Sequence, residues 1–198
     1  MIKVGLNLGN SKISCVVLEI KENKKIKLLS CKSRPSSILK KNIITDFEEL
    51  SNDIKVLILE SEKSSQTKIK SVNLNLPTIN SISRYYESEI DSLEQQITEL
   101  NIKKVINNSE YLNVDDDFYQ IFNNIKGYVL DDNLLFNSPI GNYANKLKIL
   151  FYKILIPYKN LKSYQNIIDS LGISIDSFVP SPLSSALATL SNDEKKIG

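Results

Sequence analysis

The segment Asn7-Leu8-Gly9-Asn10-Ser11-Lys12 holds the residue types that bind an anion. A tight turn of this kind aims backbone N–H groups and a hydroxyl at one point, and Lys12 adds positive charge. Gly9 permits the close backbone approach that a phosphate needs. The same Gly-Asn-Ser turn also serves simply to join two strands, so the residues alone leave both readings open. Two acidic clusters follow, Asp115-Asp116-Asp117 and Asp131-Asp132. They lack the alternating Asp, the Gly and the distal Glu of a calcium loop, and read as solvated strand-edge and turn residues. As paired carboxylates for glycoside hydrolysis, nothing in the sequence positions them. Asp46, Glu48 and Glu49 stand where a helix dipole favours negative charge. Tyr85, Tyr86, Tyr119 and Tyr128 read as half-buried sheet residues, with a partner surface as the other reading.

Composition removes other chemistries. The chain of 198 residues has no histidine, which rules out a Ser-His-Asp triad, a Cys-His dyad and a His-ligated metal. With 25 Lys+Arg against 23 Asp+Glu the net charge is +2, and no electrostatic footprint for nucleic acid stands out. The basic residues are almost all Lys; Arg34 and Arg84 are the exceptions. Cys15 and Cys31 have no metal spacing and read as reduced, small apolar residues of a cytosolic protein. No signal-peptide pattern opens the chain, and no run reaches the roughly 18 apolar residues of a membrane span. The richness in Lys, Asn and Ile reads as a bias of AT-rich coding DNA, which discounts individual Lys and Asn residues as signals.

The elements that must position these residues follow from periodicity. Residues 2–8, 13–20 and 26–33 read as three strands of an antiparallel meander, with Gly9–Lys12 as the first turn and Lys21–Lys25 as a solvated hairpin tip. Thr45 and Glu48 have capping-box spacing. Phe47, Leu50, Ile54, Leu57 and Ile58 then recur at helical spacing to about Glu62. Val72, Leu74 and Leu76 alternate as a strand ended by Pro77. From Asn80 the style changes. Residues 81–90 are β-like. A short helix from Thr98 turns Leu100, Ile102, Val105 and Ile106 inward, and residues 117–131 read as two strands around a turn at Asn123-Asn124. Asn137–Asn142 is a loop, and Leu147–Ile156 is a long strand whose alternation shifts phase at Phe151-Tyr152. The first style resumes with a helix closed by Gly172, a strand at 173–179, and a helix rich in Ser184, Ser185, Ala186 and Ala188.

These features together resemble the actin-like ATPase superfamily and, within it, the FtsA-like bacterial cell-division proteins. Val4-Gly5-Leu6-Asn7-Leu8-Gly9-Asn10-Ser11-Lys12 is similar to the family's first phosphate loop, Gly-Leu-Asp-Ile-Gly-Thr-Ser/Thr-Lys. Asn137-Ser138-Pro139-Ile140-Gly141 resembles its Asn-Pro-x-Gly loop. Pro182-Leu183-Ser184-Ser185-Ala186-Leu187-Ala188-Thr189-Leu190, followed by Asp193-Glu194-Lys195-Lys196-Ile197-Gly198, resembles Pro-Leu-Ala-Ser-Ala...Leu...Asp-Glu-Lys-x-x-Gly.

The resemblance covers the whole chain. It implies an α/β fold: an actin-like, ribonuclease H-like subdomain IA at 1–80 and 158–198, interrupted by an α+β SHS2-type subdomain IC at 81–157. It implies that the chain is the N-terminal half, stopping before the second phosphate loop and offering about half of a nucleotide site. The function implied is an ATP-binding adaptor that polymerises like actin and tethers the FtsZ ring at the cytoplasmic face of the inner membrane, at the division site. Subdomain IC would touch the next protomer and septal proteins. Membrane contact would come only from a C-terminal helix absent from this chain. Asn7, Gly9, Asn10, Ser11 and Lys12 become the expected ATP contacts. Asn7 stands where the family has an acidic residue, so weaker Mg dependence and at most weak ATPase activity are expected, with no catalytic residue and no metal ligand assigned. The alternatives are a PilM-like pilus-assembly ATPase, which also has an SHS2 insert, and a small-molecule kinase of the same superfamily. The kinase would need a carboxylate base near the turn, and none is evident.

Overall fold

The computed structural model describes residues 1–37, 39–40, 43–78, 80–91, 96–110, 117–135 and 137–197. In chain order its elements begin with β1 (Ile2–Leu8), β2 (Lys12–Ile20), β3 (Ile26–Pro35), β4 (Leu39–Lys40), β5 (Ile43–Ile44), α1 (Phe47–Ser65) and β6 (Ser71–Leu76). There follow β7 (Ile82–Ile90), α2 (Glu99–Glu110), β8 (Phe118–Leu130), β9 (Asn133–Leu135) and β10 (Leu147–Pro157). The chain finishes with α3 (Tyr158–Ser170), β11 (Ser174–Pro180), α4 (Ser181–Thr189) and α5 (Glu194–Ile197). Two compact units divide them: Met1–Asn80 with Lys159–Gly198, and Ser81–Tyr158.

The first unit is built on a five-stranded sheet ordered β11-β6-β1-β2-β3. The meander β1-β2-β3 is antiparallel, while β6 runs parallel to β1 and β11 parallel to β6. Strict alternation gives this sheet two unlike faces. Val4, Leu6, Leu8, Ile13, Cys15, Val17, Val72, Leu74 and Leu76 are buried on one of them. There α1 packs against β2 and β3 through Leu50, Ile54, Leu57 and Ile58. Each such side chain contributes roughly 1.5–3 kcal/mol by leaving water. The other face presents Asn7, Ser14, Asn73 and Asn75, all half-buried.

The cap of α1 lies one residue beyond the expected Thr45. Asp46 is the N-cap, and its carboxylate accepts from Glu49 N at 2.9 Å. This places Phe47 at the first helical position, 49% exposed instead of inward. Helix α1 also runs past Glu62 to Ser65, where Gln66 ends it in the left-handed region at φ 53°. Glu62 then clasps the connection to β6, accepting from Ile69 N at 2.7 Å and Lys68 Nζ at 3.0 Å. Burial works hardest against its charge, but the two donors together hold its carboxyl below the usual range. Gly172, at φ 70°, closes α3, a backbone conformation suited to glycine. Ser191 and Glu194 form a reciprocal capping box at α5, with Ser191 N donating to Glu194 at 2.8 Å and Glu194 N to Ser191 Oγ at 3.3 Å. Cys15 is fully buried and its thiol is pushed up by that burial, which the Ser61 hydroxyl partly offsets. Cys31 is exposed on the opposite face, and both cysteines are free.

The second unit is a four-stranded antiparallel sheet, ordered β7-β10-β8-β9, with α2 against β7 and β10. Its core gathers Ile97, Val105, Leu130, Leu147, Ile149 and Phe151. Thr98 and Asn101 cap α2 reciprocally: Thr98 N donates to Asn101 Oδ1 at 2.8 Å and Asn101 N to Thr98 Oγ1 at 3.4 Å. Leu100, expected inward, is 76% exposed. Residues 118–130 form one continuous strand, not two. Asn123 and Asn124 pair with Lys153 and Tyr152 in the ladder, and register shifts leave Ile121 and Lys126 as extra residues. The chain turns instead at Asp131-Asp132, both at positive φ (44° and 73°), between the paired Leu130 and Asn133. That is the geometry of a two-residue hairpin. In β10 the buried positions run Leu147, Ile149, Phe151, Lys153, Leu155 without a break. The expected change of phase near Phe151-Tyr152 appears as a register shift against β8 between Leu150 and Phe151, while the inward positions keep their alternation because the one after Phe151 is a lysine.

Candidate functional site

The β1–β2 connection puts the anion-binding residue types on one short turn. Asn7 is the penultimate residue of β1, Lys12 the first of β2, and Gly9, Asn10 and Ser11 lie between. Gly9 N donates to Lys12 O at 3.1 Å, closing the turn, and Ser36 N ties down Ser11 O at 3.1 Å. A Cβ on Gly9 would stand 2.8 Å from Lys12 O and 3.4 Å from Asn7 Nδ2. No side chain fits there without moving backbone, so this position requires glycine for space. Asn10, Ser11 and Lys12 are exposed, Asn7 and Gly9 half-buried.

Behind the turn lies a polar chain that crosses three elements. Asn75 Nδ2, on β6, donates to Asn7 Oδ1 at 2.7 Å, and Ser184 Oγ, on α4, donates to Asn75 Oδ1 at 2.9 Å. A second set lies one step along the same face, where Asn73 Nδ2 donates to Val4 O at 3.1 Å and Ser177 Oγ to Asn73 Oδ1 at 2.7 Å. Asn75 and Ser184 were not among the expected site residues. Their signal was Asn at alternate positions of a strand, Val72-Asn73-Leu74-Asn75-Leu76, which compositional bias masks.

The other candidates fall elsewhere. Asp131 ties its turn to the segment entering β10: its carboxylate accepts from Asn145 N at 3.1 Å and Lys146 N at 2.8 Å. The carbonyl of Asp117 accepts from Tyr158 N at 2.7 Å. Asp115 and Asp116 lie outside the described residues, as does Gly198. Among the described residues no group of His, Cys, Asp and Glu could hold a metal ion. Tyr85 is 73% exposed and Tyr119 43%, whereas Tyr86 and Tyr128 pack against the core of their unit. Beside Tyr85, 5.4 Å between ring centroids, is Tyr152, over which Lys126 sits at 5.6 Å. Half-buried Lys146 and Lys148 bridge exposed Glu87, Glu89 and Asp91 along the β7–β10 ladder. The Lys146 ammonium holds the Glu89 carboxyl below its usual range.

The fold is a mixed α/β architecture built on a five-stranded and a four-stranded sheet, with β4 and β5 as a two-stranded pair. Among solved structures, the PilM–PilN type IV pilus biogenesis complex superposes with a TM-score of 0.60 at 13% identity, over 93% of this chain and 49% of that chain. In sequence the chain is FtsA-like. It is 23% identical over 193 residues to the cell division protein FtsA of Neisseria meningitidis serogroup B, covering 98% of this chain and 47% of that protein. It is 20% identical over 195 residues to FtsA of Escherichia coli K12, covering 98% and 46%. The chain thus spans about half the length of the curated relatives it matches. No protein-family model matches it. Among the described residues no helix is long and apolar enough to cross a membrane.

Proposed function

We propose that this chain is the nucleotide-responsive half of an FtsA-like division adaptor. The unit Met1–Asn80 with Lys159–Gly198 acts as subdomain IA, and Ser81–Tyr158 as the SHS2-type subdomain IC. The observation that carries the reading is the Gly9–Lys12 turn between β1 and β2, on which Asn10, Ser11 and Lys12 are all exposed. A phosphate could approach that backbone closely, with Ser11 and Lys12 as hydroxyl and ammonium donors and Asn7 and Asn10 beside them. ATP would supply a phosphate chain whose presence sets conformation. The chain's own residues bind and orient it, and no side chain stands ready as a base. Self-association through 81–158, recruitment of FtsZ, contact with septal proteins and residence at the cytoplasmic face of the membrane belong to this proposal by similarity to FtsA.

The fold shared with PilM supports a second reading, an assembly ATPase of the pilus type. Two measurements separate the readings. In an amide NMR titration with ATP, we expect shifts confined to residues 7–12 and neighbouring β6, with millimolar affinity, and their loss in Gly9→Val. Shifts elsewhere, or none, would overturn the phosphate assignment. A fluorescent fusion in a rod-shaped bacterium should form a mid-cell band that disappears when FtsZ is depleted. Polar foci would favour the pilus reading instead.

A further inference from the structure

Strand β3 closes one side of the five-stranded sheet and, among the described residues, pairs only with β2. An edge strand leaves the N–H and C=O groups of its outer side unpaired, a template for one more strand. The register with β2 sorts the β3 side chains onto two faces. Ile26 and Leu28 lie opposite Ile20 and Leu18 and share their face, the one turned away from α1. They are 66% and 59% exposed, so two large apolar side chains stand in water at the rim of the sheet. Lys27, Lys32 and Arg34 lie opposite Glu19, Cys15 and Ile13, on the α1 face. Arg34 has Asp53 and Glu60 for partners. Among the described residues, Lys24, Lys25, Lys27 and Lys32 have no ion-pair partner. From Asn23 to Pro35 the chain carries five cations and no carboxylate. The edge is therefore apolar on one face and basic on the other.

A second copy of β3 does not suit this edge. Antiparallel pairing would set one row of lysines against another. The bulge at Leu29, where Val17 pairs with Ser30 and Leu18 with Leu28, also bends the strand away from a straight copy of itself. An acidic strand meets the opposite case. Its carboxylates fall beside Lys27 and Lys32, while its alternate apolar side chains cover Ile26 and Leu28. We propose that the outer edge of β3 docks an extended segment of another protein, with acidic and apolar residues in alternation, added to the sheet as a sixth strand. Main-chain hydrogen bonds supply the affinity, and the lysines select the partner. Ile26 pairs with Ile20 and Pro35 with Lys12, so the exposed apolar end of β3 lies at the far end of β2 from the Gly9–Lys12 turn. Docking there is independent of the phosphate reading.

The test is an NMR titration of the full chain, with hydrogen exchange, using the peptide acetyl-Glu-Ile-Glu-Val-Glu-Ile-Glu-amide. Shifts should run along residues 25–34, and alternate β3 amides should gain protection. Methylating alternate peptide nitrogens should weaken binding about tenfold in one phase of the alternation and less than about twofold in the other. Lys27→Glu combined with Lys32→Glu should weaken binding about tenfold and turn the preference to the same peptide with Lys in place of Glu. Leu28→Ser should weaken it about threefold. Unchanged β1 and β2 amides show that these variants are folded. Equal effects of the two methylation phases would mean a contact made by side chains alone. Binding to phosphatidylglycerol vesicles without binding to the peptide would make the patch a lipid-facing one. Shifts along β3 that grow with protein concentration alone would make the occupant a second copy. Each of these outcomes, and the absence of any binding, overturns the proposal. None of them alters the expected ATP response of residues 7–12.

Discussion

Each unit carries polar side chains at positions where its sheet would accept apolar ones, and the two treat them in opposite ways. In the second unit Lys153 is fully buried on β10, its Nζ donating to Ser109 O at 2.7 Å at the end of α2 and lying 5.2 Å from the Tyr86 ring centre. In the first unit Asn7 and Asn75 are half-buried and neutral, joined to each other and to Ser184, with one end of Asn7 left toward the turn. A buried amine is tolerated when it donates to a helix-end carbonyl and lies against aromatic faces, and it then fixes how α2 sits on its sheet. A neutral amide on a half-buried sheet face costs less to desolvate and keeps hydrogen-bonding capacity in reserve. The first arrangement is a structural pin and the second has the form of a binding surface.

The largest effect should come from removing the pin. Lys153→Ala leaves Ser109 O without this donor and opens a void, and should destabilise the second unit by about 3 kcal/mol. Lys153→Met keeps most of the volume and should cost only about 1–2 kcal/mol. Hydrogen exchange of the α2 and β10 amides under urea reads both. Equal costs for the two variants would mean that the polar bond dominates; no cost for either would dissolve the contrast. Gly9→Val comes next. The added side chain must displace Lys12 O, at roughly 1–3 kcal/mol, and the turn should lose its anion site. Asn75→Ala should cost about 1 kcal/mol, the ordinary worth of a neutral hydrogen bond. A loss as large as that of Lys153→Ala would show the relay to be a structural pin as well.

The same contrast explains what is legible in the sequence. Strands β1, β2 and β6 follow their alternation, and α1 its helical stripe from Leu50 to Ile58, because local pattern and burial agree there; in β3, by contrast, Ile26 and Leu28 are exposed and Ser30 is buried. The Gly9–Lys12 turn is legible because every residue that makes it is adjacent. Its supports are not: Asn75 lies 68 residues from Asn7, and Ser184 a further 109 from Asn75. The misread turn in β8 and the lysine inside β10 share one origin. Asn123-Asn124 has turn composition but pairs with Tyr152 and Lys153, and Lys153 breaks the apolar pattern of a strand whose burial never breaks. Tertiary partners, the Ser109 carbonyl and the Tyr86 ring among them, make a lysine acceptable inside, and no local window contains them. Asp131-Asp132 could turn the chain because short polar side chains tolerate positive φ, a possibility that composition allows without selecting it.

The smallest effect concerns two carboxylates, one in each unit, that lie below the usual range for different reasons. Burial is the largest influence on Glu62 and opposes its charge; Ile69 N–H and Lys68 overcome it. Exposed Glu89 is lowered first by its hydrogen bond from Lys146. In both the folded pKa is depressed, so each contributes stability that is present above the ordinary carboxylate value of 4.5 and is lost as pH falls through the lowered folded value. Glu62→Gln should therefore flatten the acid limb of the first unit below about pH 4.5. That response should survive added salt, because a backbone N–H is the partner that salt screens least. Glu89→Gln should change the acid limb of the second unit only at low ionic strength, since an exposed ladder of charges is screened within about 10 Å at 0.1 M salt. Urea midpoints from pH 3 to 6, at low and high salt, separate the two. A salt-insensitive change at Glu89 would mean that the ladder is shielded from solvent as its exposure does not indicate, and would place a charge-based anchor in the second unit beside the one at Lys153.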